Sequence, residues 1–421
     1  MSEANMDMAM DINSIPLEQV DVSNPSIFES DTWQPWFSRL RQEAPVHYCP
    51  ESAVGAYWSV TSHDLIKQVD TNHDIFSSAE GIAIPDAPED VADEENVPIE
   101  NFISMDPPGH DVQRATVAPS VAPSNLANFE PLIRERVEDI LDNLPVGETF
   151  NWVDAVSVEL TARMLATLFD FPYEDRRKLI YWSDITTNVP ELTGIELDME
   201  QRKNDLMECA MTFMQLWQDR AAAEPKFDLI SMLAHGENTR DMISNPMMFL
   251  GNVLLLIVGG NDTTRNSISG GVVALNQFPD EYAKLQNNPG VIPNMVAEMV
   301  RWQTPVIHMR RTATQDFILG GEKIKQGDKV VMWYLSGNRD ETVFPNADKL
   351  IIDRPNARQH VAFGFGIHRC MGNRLAEMQL RVLWEEIMKR FEKIELAGEV
   401  KRLPNNFIRG IADVPVRVIP K

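Results

Sequence analysis

Apolar residues in the middle of the chain recur at helical spacing. Segments 128–144, 151–170 and 198–223 each carry them at positions i, i+3 and i+4, which is the periodicity of amphipathic α-helices. The pattern predicts mostly helix from about Ser124 to Gln277.

Short runs with β-branched and aromatic residues flank that helical region. VHYC (46–49), GAYWSVTS (55–62) and the glycine-punctuated segment 316–336 are typical of strands joined by turns. A last long helix is predicted from Met371 to about Phe391. Strands at both ends of a helical middle indicate a mainly α protein with a small β region, of the α+β class.

Two polar segments depart from this pattern. Residues 1–21 are polar and Met-rich and are expected to be poorly ordered, which leaves residues 22–421 as a single domain. Residues 81–102 are rich in proline and acidic side chains. That composition is typical of a mobile surface loop, and in some proteins such a loop is a lid.

Polar residues interrupt the most apolar stretch of the chain. Asn245 is a favourable helix N-cap and Pro246 fits the first helical position, and the apolar run from Met247 to Val258 predicts a central helix. GGNDTT (259–264) follows directly, and two glycines inside a helix cost about 1 kcal/mol each relative to alanine. Two interpretations stand: a break between two short helices, or one buried helix thinned so that something flat can lie against it.

Charge and cysteine content limit the function classes. The 421 residues carry a net charge of −25, which argues against nucleic acid and anionic lipid as partners, because both bind basic surfaces. Cys49, Cys209 and Cys370 are odd in number and far apart. A disulfide framework is therefore not expected, and the reducing cytoplasm is the expected compartment.

No segment has the pattern of a targeting signal or a membrane span. The N-terminus lacks both the basic and the apolar region of a signal peptide. The apolar run 247–260 is short and is broken by Gly251 and Asn252, so we expect that it does not span a bilayer.

A cysteine near the end of the chain lies in the glycine-rich segment HVAFGFGIHRCMGNRLAE (360–377). Gly364 and Gly372 permit a tight turn and a close approach of the backbone to a ligand. Cys370 precedes a predicted helix, whose N-terminus favours thiolate. No Cys-x-x-Cys partner lies nearby for zinc, whereas a single thiolate fits haem iron. The alternative is a small buried cysteine in a turn.

This segment resembles the haem-thiolate signature of cytochromes P450, Phe-x-x-Gly-x-(His/Arg)-x-Cys-x-Gly. The matching positions are Phe363, Gly366, His368, Cys370 and Gly372. Three further segments are similar to motifs of that family and occur in the same order: GGNDTT (259–264), EMVR (298–301) and FPNADKLIIDRPNARQHVAFG (344–364). The resemblance covers nearly the whole chain after about the first twenty residues, and it implies the P450 fold, with haem between the long central helix and the cysteine-loop helix.

The resemblance also implies how haem b is held. Cys370 is the axial ligand, and Phe363 packs near its sulfur. The residues expected at the haem propionates are His110, Arg114, Arg311 and His368, with Arg310 as a competitor for Arg311. Glu298 and Arg301, which alone read as an exposed helical pair, would instead be buried and fix the segment before the cysteine through Arg354.

The implied activity is insertion of one oxygen atom of O2 into a C–H bond. Asp262 and Thr263 would deliver the protons that O–O cleavage consumes. The resemblance takes up nearly the whole chain and there is no cysteine cluster, so we expect no fused flavin or iron–sulfur domain, and electrons from NAD(P)H are expected through separate proteins, a ferredoxin and a ferredoxin reductase. Arg369, Arg374 and Arg381 are candidates for a docking patch.

The substrate is expected to be hydrophobic, because the segments that resemble the distal pocket are apolar. The candidate lining residues, which could equally be core, are Ile82, Leu255, Val258, Gly259, Val306, Ile307 and Met309. Residues 251–267 and 301–321 resemble the bacterial terminal hydroxylases, which implies terminal hydroxylation of medium-chain alkanes or fatty acids. The alternatives are a terpenoid, steroid or aromatic substrate, a haem-binding sensor without turnover, and a structural protein with coincidental motifs.

Overall fold

The computed structural model describes residues 12–84, 101–187, 196 and 198–421. The helices in these ranges are α1 (Ser26–Glu29), α2 (Gln34–Glu43), α3 (His63–Thr71), α4 (Gly109–Val117), α5 (Pro123–Asp142), α6 (Glu159–Phe169), α7 (Arg177–Thr187), α8 (Met199–Ala221), α9 (Leu229–His235), α10 (Pro246–Gln277), α11 (Pro279–Asn287), α12 (Ile292–Gln303), α13 (Tyr334–Gly337) and α14 (Asn373–Arg390). A π-helix, Val153–Val158, precedes α6. The mainly α architecture is as predicted.

The strands are short and lie mostly near the two ends of the chain. They are β1 (Val46–Cys49), β2 (Tyr57–Val60), β3 (Phe76–Ser77), β4 (Phe150–Asn151), β5 (Met309–Ala313), β6 (Phe317–Leu319), β7 (Glu322–Ile324), β8 (Lys329–Met332), β9 (Phe391–Leu396), β10 (Lys401–Arg402), β11 (Ile411–Asp413) and β12 (Pro415–Pro420). The strands predicted at 46–49, 55–62 and 316–336 are confirmed, β5 agrees with the strand that the resemblance implies after EMVR, and β3, β4 and β9–β12 were not predicted.

Helix α10 runs unbroken through the polar segment 259–264. Its N-terminus is capped by the Asn245 side chain, which accepts a hydrogen bond from the Met248 N–H. A Cβ on Gly260 would lie 2.8 Å from Leu165 Cδ2 of α6, so this glycine lets the two helices approach closely. Of the two interpretations, the single buried helix is confirmed.

The apolar run 247–260 lies within the longer helix α10, and the expected break in it is absent. Gly251 and Asn252 do not interrupt it, and α10 is long and apolar enough to cross a membrane by length and composition alone. In this fold 56% of its most apolar window is buried against the rest of the protein. Its apolar surface is therefore largely used for internal packing.

The largest described sheet brings the two ends of the chain together. Its strand order is β1-β2-β8-β5-β3, with β2 parallel to β8 through Trp58 and Val330. Strand β5 is antiparallel to β8 and places Arg311 opposite Val330. Because β5 belongs to this sheet, the position of Arg311 depends on strands from both ends of the chain.

Part of the N-terminal segment packs on the domain, contrary to the expectation of poor order for residues 1–21. Residues 12–14 and 17–19 form 3-10 helices, and Arg39 Nη1 donates a 2.7 Å hydrogen bond to the Ile15 carbonyl. Val20 is fully buried. Burial of the few apolar residues in this segment explains its order, and residues 1–11 lie outside the described residues.

Candidate active site

A cavity lies between helix α10 and the segment that carries Cys370. Most of the predicted site residues line it: Arg114, Leu255, Gly259, Thr263, Val306, Met309, Arg311, Phe363, Gly364, His368, Cys370 and Gly372. Other lining residues were not predicted, and they include Ile103, Leu165, Leu256, Tyr334 and Gln379. The resemblance correctly placed Leu255, Gly259 and Thr263 of α10 and Arg114 of α4 at the cavity. The contributions of α6 and α13 depend on tertiary packing.

A tight loop presents Cys370 at the cavity surface. The Cys370 N–H donates a 2.8 Å hydrogen bond to the Phe363 carbonyl. Gly366 has φ of +64°, and a Cβ there would lie 2.1 Å from the Asp70 carbonyl oxygen, so a side chain is excluded. The loop therefore turns directly on the end of helix α3, and α14 begins three residues after the cysteine.

The helix N-terminus acts on Cys370 in the predicted direction, but burial has the larger effect on its pKa. Burial raises the pKa of Cys370, although the N–H groups of Gly372 and Asn373 and the charges of Arg114 and Arg369 oppose the rise. Desolvation of the charged sulfur outweighs the helix end. A metal cation stabilises thiolate more strongly, because it replaces the proton on the sulfur.

Cationic and hydrogen-bonding groups gather along one edge of the cavity. Arg114, Arg311 and His368 line it, while His110 lies behind them with its ring centroid 4.4 Å from that of His368. Burial, together with the charge of Arg311, lowers the pKa of His368 to about 2. Arg310 does not line the cavity, so the geometry favours Arg311.

Two nitrogen atoms at this edge lack partners. His368 Nδ1 and His110 Nε2 are buried without a hydrogen bond to any described residue. Buried polar atoms normally find partners, so these atoms, beside two arginines, fit the acidic edge of a ligand. With the cysteine thiol on the same cavity, this donor set fits haem and its two propionates.

Thr263 lines the cavity, but the predicted proton donor beside it does not. The Thr263 hydroxyl donates a 2.8 Å hydrogen bond to the Gly259 carbonyl. Asp262 is fully buried on another face of α10 and accepts hydrogen bonds from Ser183 and Thr187 of helix α7 (3.2 and 3.0 Å). Its carboxylate is thus directed into the protein.

An arginine on α10 also holds Asp262. Arg265 Nη2 lies 2.6 Å from Asp262 Oδ1 and 2.8 Å from Asp184 Oδ1. Burial raises the pKa of Asp262, whereas the charge of Arg265 lowers it. Of Asp262 and Thr263, only Thr263 therefore borders the cavity.

Glu298 and Arg301 form a buried ion pair rather than a surface pair. Both side chains are fully buried, and Arg301 Nε lies 2.8 Å from the Glu298 carboxylate. The same carboxylate accepts a 3.1 Å hydrogen bond from Arg354 Nε and a 2.9 Å hydrogen bond from the Ile351 N–H. One carboxylate therefore joins α12 to the irregular segment that leads to the cysteine loop.

Three of the predicted substrate contacts do not line the cavity. Val258 is partly exposed on another face of α10, and Ile307 is buried in a separate cluster with Trp333. The Ile82 carbonyl accepts a 2.7 Å hydrogen bond from the Arg310 N–H, which holds Ile82 against strand β5. Most of the acidic loop, residues 85–100, lies outside the described residues.

A buried histidine holds the start of that loop. His308 Nε2 accepts a 3.2 Å hydrogen bond from the Ile84 N–H, and its Nδ1 lies 2.8 Å from the Asn406 carbonyl. Burial, with a smaller contribution from the charge of Arg310, lowers the pKa of His308 to about 4, although the hydrogen bond to the Asn406 carbonyl opposes this. The ring is therefore neutral near neutral pH.

The stability of the fold is expected to depend on pH through His308. The unfolded chain takes up this proton near pH 6.5 and the native protein near pH 4. Stability therefore falls as the pH decreases through this window, by about 3 kcal/mol for this group. His308→Gln should flatten the pH dependence of the urea midpoint between these values, while the exposed-site control His235→Gln should not. Equal slopes for the two variants would contradict this prediction.

Only part of the predicted docking patch is an exposed surface with uncompensated positive charge. Arg369 and Arg374 are exposed. Arg381 is 26% exposed and lies 2.6 Å from a Glu130 carboxylate oxygen and 2.8 Å from a Glu385 carboxylate oxygen. Its charge is compensated, so it is a weaker candidate than the sequence suggested.

Comparisons with known proteins agree with this arrangement. The family model described as Cytochrome P450 matches residues 190–414. Linalool 8-monooxygenase of Pseudomonas putida is 36% identical over 96% of this chain and 100% of its own length. The methyl-branched lipid omega-hydroxylase of Mycobacterium tuberculosis is 29% identical over 98% of this chain and 99% of its own length.

Solved structures are similar over nearly the whole chain. Cytochrome P450-153 from Novosphingobium aromaticivorans is 47% identical with a TM-score of 0.88, and the match covers 95% of this chain and 99% of that one. CYP153D17 from Sphingomonas sp. PAMC 26605 is 48% identical with a TM-score of 0.90, over 96% of this chain and 100% of that one. The similarity therefore includes both the fold and the segments that form the cavity.

Proposed function

The chain belongs to the cytochrome P450 family and is therefore a haem-thiolate monooxygenase, and on this basis we propose that it hydroxylates the terminal carbon of medium-chain alkanes or fatty acids. Members of the family use haem b and O2, with electrons from NAD(P)H that reach them through redox partners. A sensor without turnover is not retained, because the similar curated proteins are named as monooxygenases and hydroxylases.

The apolar wall of the cavity is the observation that carries the proposed substrate class. Besides the cationic groups and Thr263, the lining includes a set of apolar side chains: Ile103, Leu165, Leu168, Leu255, Leu256, Val306 and Met309. A site that recognises a polar substrate needs a few converging polar groups. A hydrocarbon chain needs none, so it fits this wall.

Two resemblances support attack at the chain end. Residues 251–267 and 301–321 resemble the bacterial terminal hydroxylases, and one full-length relative is named an omega-hydroxylase of methyl-branched lipids. A primary C–H bond is stronger than a secondary one. Terminal attack therefore depends on a channel that presents only the end of the substrate.

The proposal assigns the cofactor-binding roles to residues that border the cavity. Cys370 holds the iron, Phe363 packs beside its loop, and Arg114, Arg311 and His368 bind the propionates, with His110 supporting His368. Haem b, when bound, supplies the iron at which O2 is activated. Gly259, which has open space where a Cβ would project, leaves room for a flat group against α10.

The proposal gives Thr263 the direct role in proton delivery. Its hydroxyl both donates and accepts hydrogen bonds, and it borders the cavity. Asp262 does not border the cavity and acts on Thr263 indirectly, from the preceding position of the same helix, where it is paired with Arg265. A neutral hydroxyl at the cavity surface can pass a proton by donating its own while it accepts another, where bulk water is excluded.

Removal of the Thr263 hydroxyl is expected to separate electron consumption from product formation. Thr263→Val keeps the volume but loses the hydroxyl, so product per NAD(P)H should fall about tenfold or more. Thr263→Ser keeps the hydroxyl and is the matched control. Product and NAD(P)H are measured in the same reaction, and equal ratios in Thr263→Val and the unmodified protein would contradict the role.

The proposal extends to partners, location and domain organisation. Residues 22–421 act as one haem domain in the cytoplasm, and residues 12–21 pack on it. A ferredoxin and its ferredoxin reductase supply the electrons, with Arg369 and Arg374 on the docking surface.

Charge reversal at Arg369 or Arg374 should slow reduction of the protein by its ferredoxin more at low salt than at high salt, because salt screens surface charges.

A carbon monoxide difference spectrum followed by an octane titration tests the proposed function. A Soret band shifted far to the red reports thiolate ligation, and a low- to high-spin change with octane reports occupation of the cavity. Product analysis should then give 1-octanol. A thiolate band without an octane response, or hydroxylation at internal carbons, would overturn the alkane assignment and leave the monooxygenase.

A terpenoid is the second candidate substrate, because a relative that matches this chain over its whole length is named Linalool 8-monooxygenase. The same titration with linalool separates the two candidates. A larger spin change and faster product formation with linalool than with octane would favour the terpenoid.

A further inference from the structure

A buried carboxylate behind the cavity wall joins three structural elements. Asp70, in the last turn of α3, is 4% exposed. It accepts hydrogen bonds from Arg311 Nη2 (3.2 Å), from the Tyr334 hydroxyl (2.7 Å) and from the Phe365 N–H (2.9 Å). Arg311 and Tyr334 line the cavity, whereas Asp70 does not.

These contacts fix the guanidinium of Arg311. Its Nη1 donates a 2.7 Å hydrogen bond to the Arg310 carbonyl, and its Nη2 is held by Asp70. An unrestrained arginine has about 2 kcal/mol of rotamer entropy to lose on binding. Because Arg311 is already ordered and buried at the cavity edge, it can bind a carboxylate without that cost.

The same residue supports the cysteine loop. The Asp70 carboxylate receives the Phe365 N–H, and the Asp70 carbonyl lies where a Cβ of Gly366 would be. Both contacts lie a few residues before Cys370. The loop therefore takes its position from the end of α3 as well as from its own turn.

We propose that Asp70 is a positioning residue that holds Arg311 toward an acidic edge of the cofactor and fixes the cysteine loop. It acts through Arg311 and the loop and makes no contact with the cofactor itself. The inference rests on the cofactor site proposed above, in which Arg311 binds a propionate and Cys370 binds the iron.

Asp70→Asn tests this role, because the amide keeps the shape but loses one of the two acceptor oxygens. Loss of a hydrogen bond to a charged group weakens the hold on Arg311, so haem should transfer to excess apomyoglobin about tenfold faster or more. The carbon monoxide complex should also show a smaller fraction of the thiolate band. Transfer at the unmodified rate would overturn the proposal.

Asp340→Asn is the matched control for loss of a buried carboxylate. Asp340 is 5% exposed and lies at the other end of α3, where it accepts hydrogen bonds from the His63 N–H and from Thr342. This variant should lower the urea midpoint while haem transfer stays within about twofold of the unmodified rate. Equal acceleration in both variants would mean that Asp70 acts only through general stability, and it would overturn the proposal.

A double-variant cycle with Arg311→Met separates this inference from the site on which it rests. If Asp70 acts through Arg311, the two changes together should accelerate transfer less than the product of their separate effects. Multiplicative effects would overturn the inference. Unchanged transfer in Arg311→Met alone would overturn the propionate site itself, whereas fast transfer there with unchanged transfer in Asp70→Asn overturns only the role of Asp70.

Asp70→Glu provides a second variant if the asparagine variant does not fold. It keeps the charge and moves the oxygen atoms by about 1.5 Å, one C–C bond. Arg311 and the Phe365 N–H should then lose their alignment, and haem transfer should accelerate. An unmodified rate in this variant would overturn the proposal.

Discussion

Cys370→Ser is expected to abolish the red-shifted Soret band of the carbon monoxide complex and to lower product formation by at least about 1000-fold, or about 4 kcal/mol in activation free energy. A serine hydroxyl is not ionised in this environment, where burial already raises the pKa of the cysteine thiol. The iron would lose the electron-rich thiolate that favours O–O cleavage. The spectrum and the product assay are measured on the same haem-containing preparation.

Cys209→Ala is the control for this substitution. Cys209 is a fully buried free cysteine in the main apolar core and is not among the residues that line the cavity. Its loss should cost some stability and leave the Soret band unchanged. A retained thiolate band in Cys370→Ser, or a lost band in Cys209→Ala, would contradict the assignment of Cys370.

Glu298→Ala is expected to destabilise the protein by about 3–5 kcal/mol, because it leaves two buried arginines without their shared carboxylate. The loss is a large part of the roughly 5–15 kcal/mol that stabilises a typical domain. Arg301 and Arg354 would keep hydrogen bonds to backbone carbonyls but not the opposite charge. The midpoint of urea unfolding measures the effect.

An exposed ion pair provides the comparison for Glu298. Lys178 Nζ lies 3.0 Å from Glu208 Oε1, and the two side chains are 46% and 51% exposed, so Glu208→Ala should cost at most about 1 kcal/mol. If the two variants shift the midpoint equally, Glu298 is not the central contact of this region. The haem content of Glu298→Ala should also fall, since the segment that Glu298 holds leads into the cysteine loop.

The local features of the site were predictable because they depend on neighbouring residues. The tight turn before Cys370 follows from the glycines that it contains, and two of them adopt positive φ. The capping of α10 follows from Asn245 and Pro246. In each case the physical cause lies within a few residues of the feature.

The orientation of Asp262 was not predicted, although helical geometry gives a hint. Adjacent residues on an α-helix point about 100° apart, so Asp262 and Thr263 cannot face the cavity equally. Which of the two does so depends on Ser183 and Thr187 of α7, which lie more than 70 residues earlier. Sequence spacing on α10 contains no information about that neighbour.

The choice between Arg310 and Arg311 also required the tertiary structure. Successive residues of a strand point to opposite faces, but which face of β5 borders the cavity depends on its neighbours β8 and β3 in the sheet. Asp70 had no sequence signal, because it ends an ordinary amphipathic helix. Its partners come from segments that are distant in the chain.

The long separation between these partners has a consequence for how the protein is made. Asp70 and Phe365 are 295 positions apart, and Ser78 and His368, whose side chains lie 3.0 Å apart, are separated by 290. A ribosome adds about 5–20 residues per second, so α3 is synthesised roughly 15–60 s before the loop that it supports. Strand β2 can likewise form its parallel pair with β8 only after β8 has been synthesised. Cofactor capture is therefore a late event that follows synthesis of nearly the whole chain, and a nascent fragment has only one wall of the pocket.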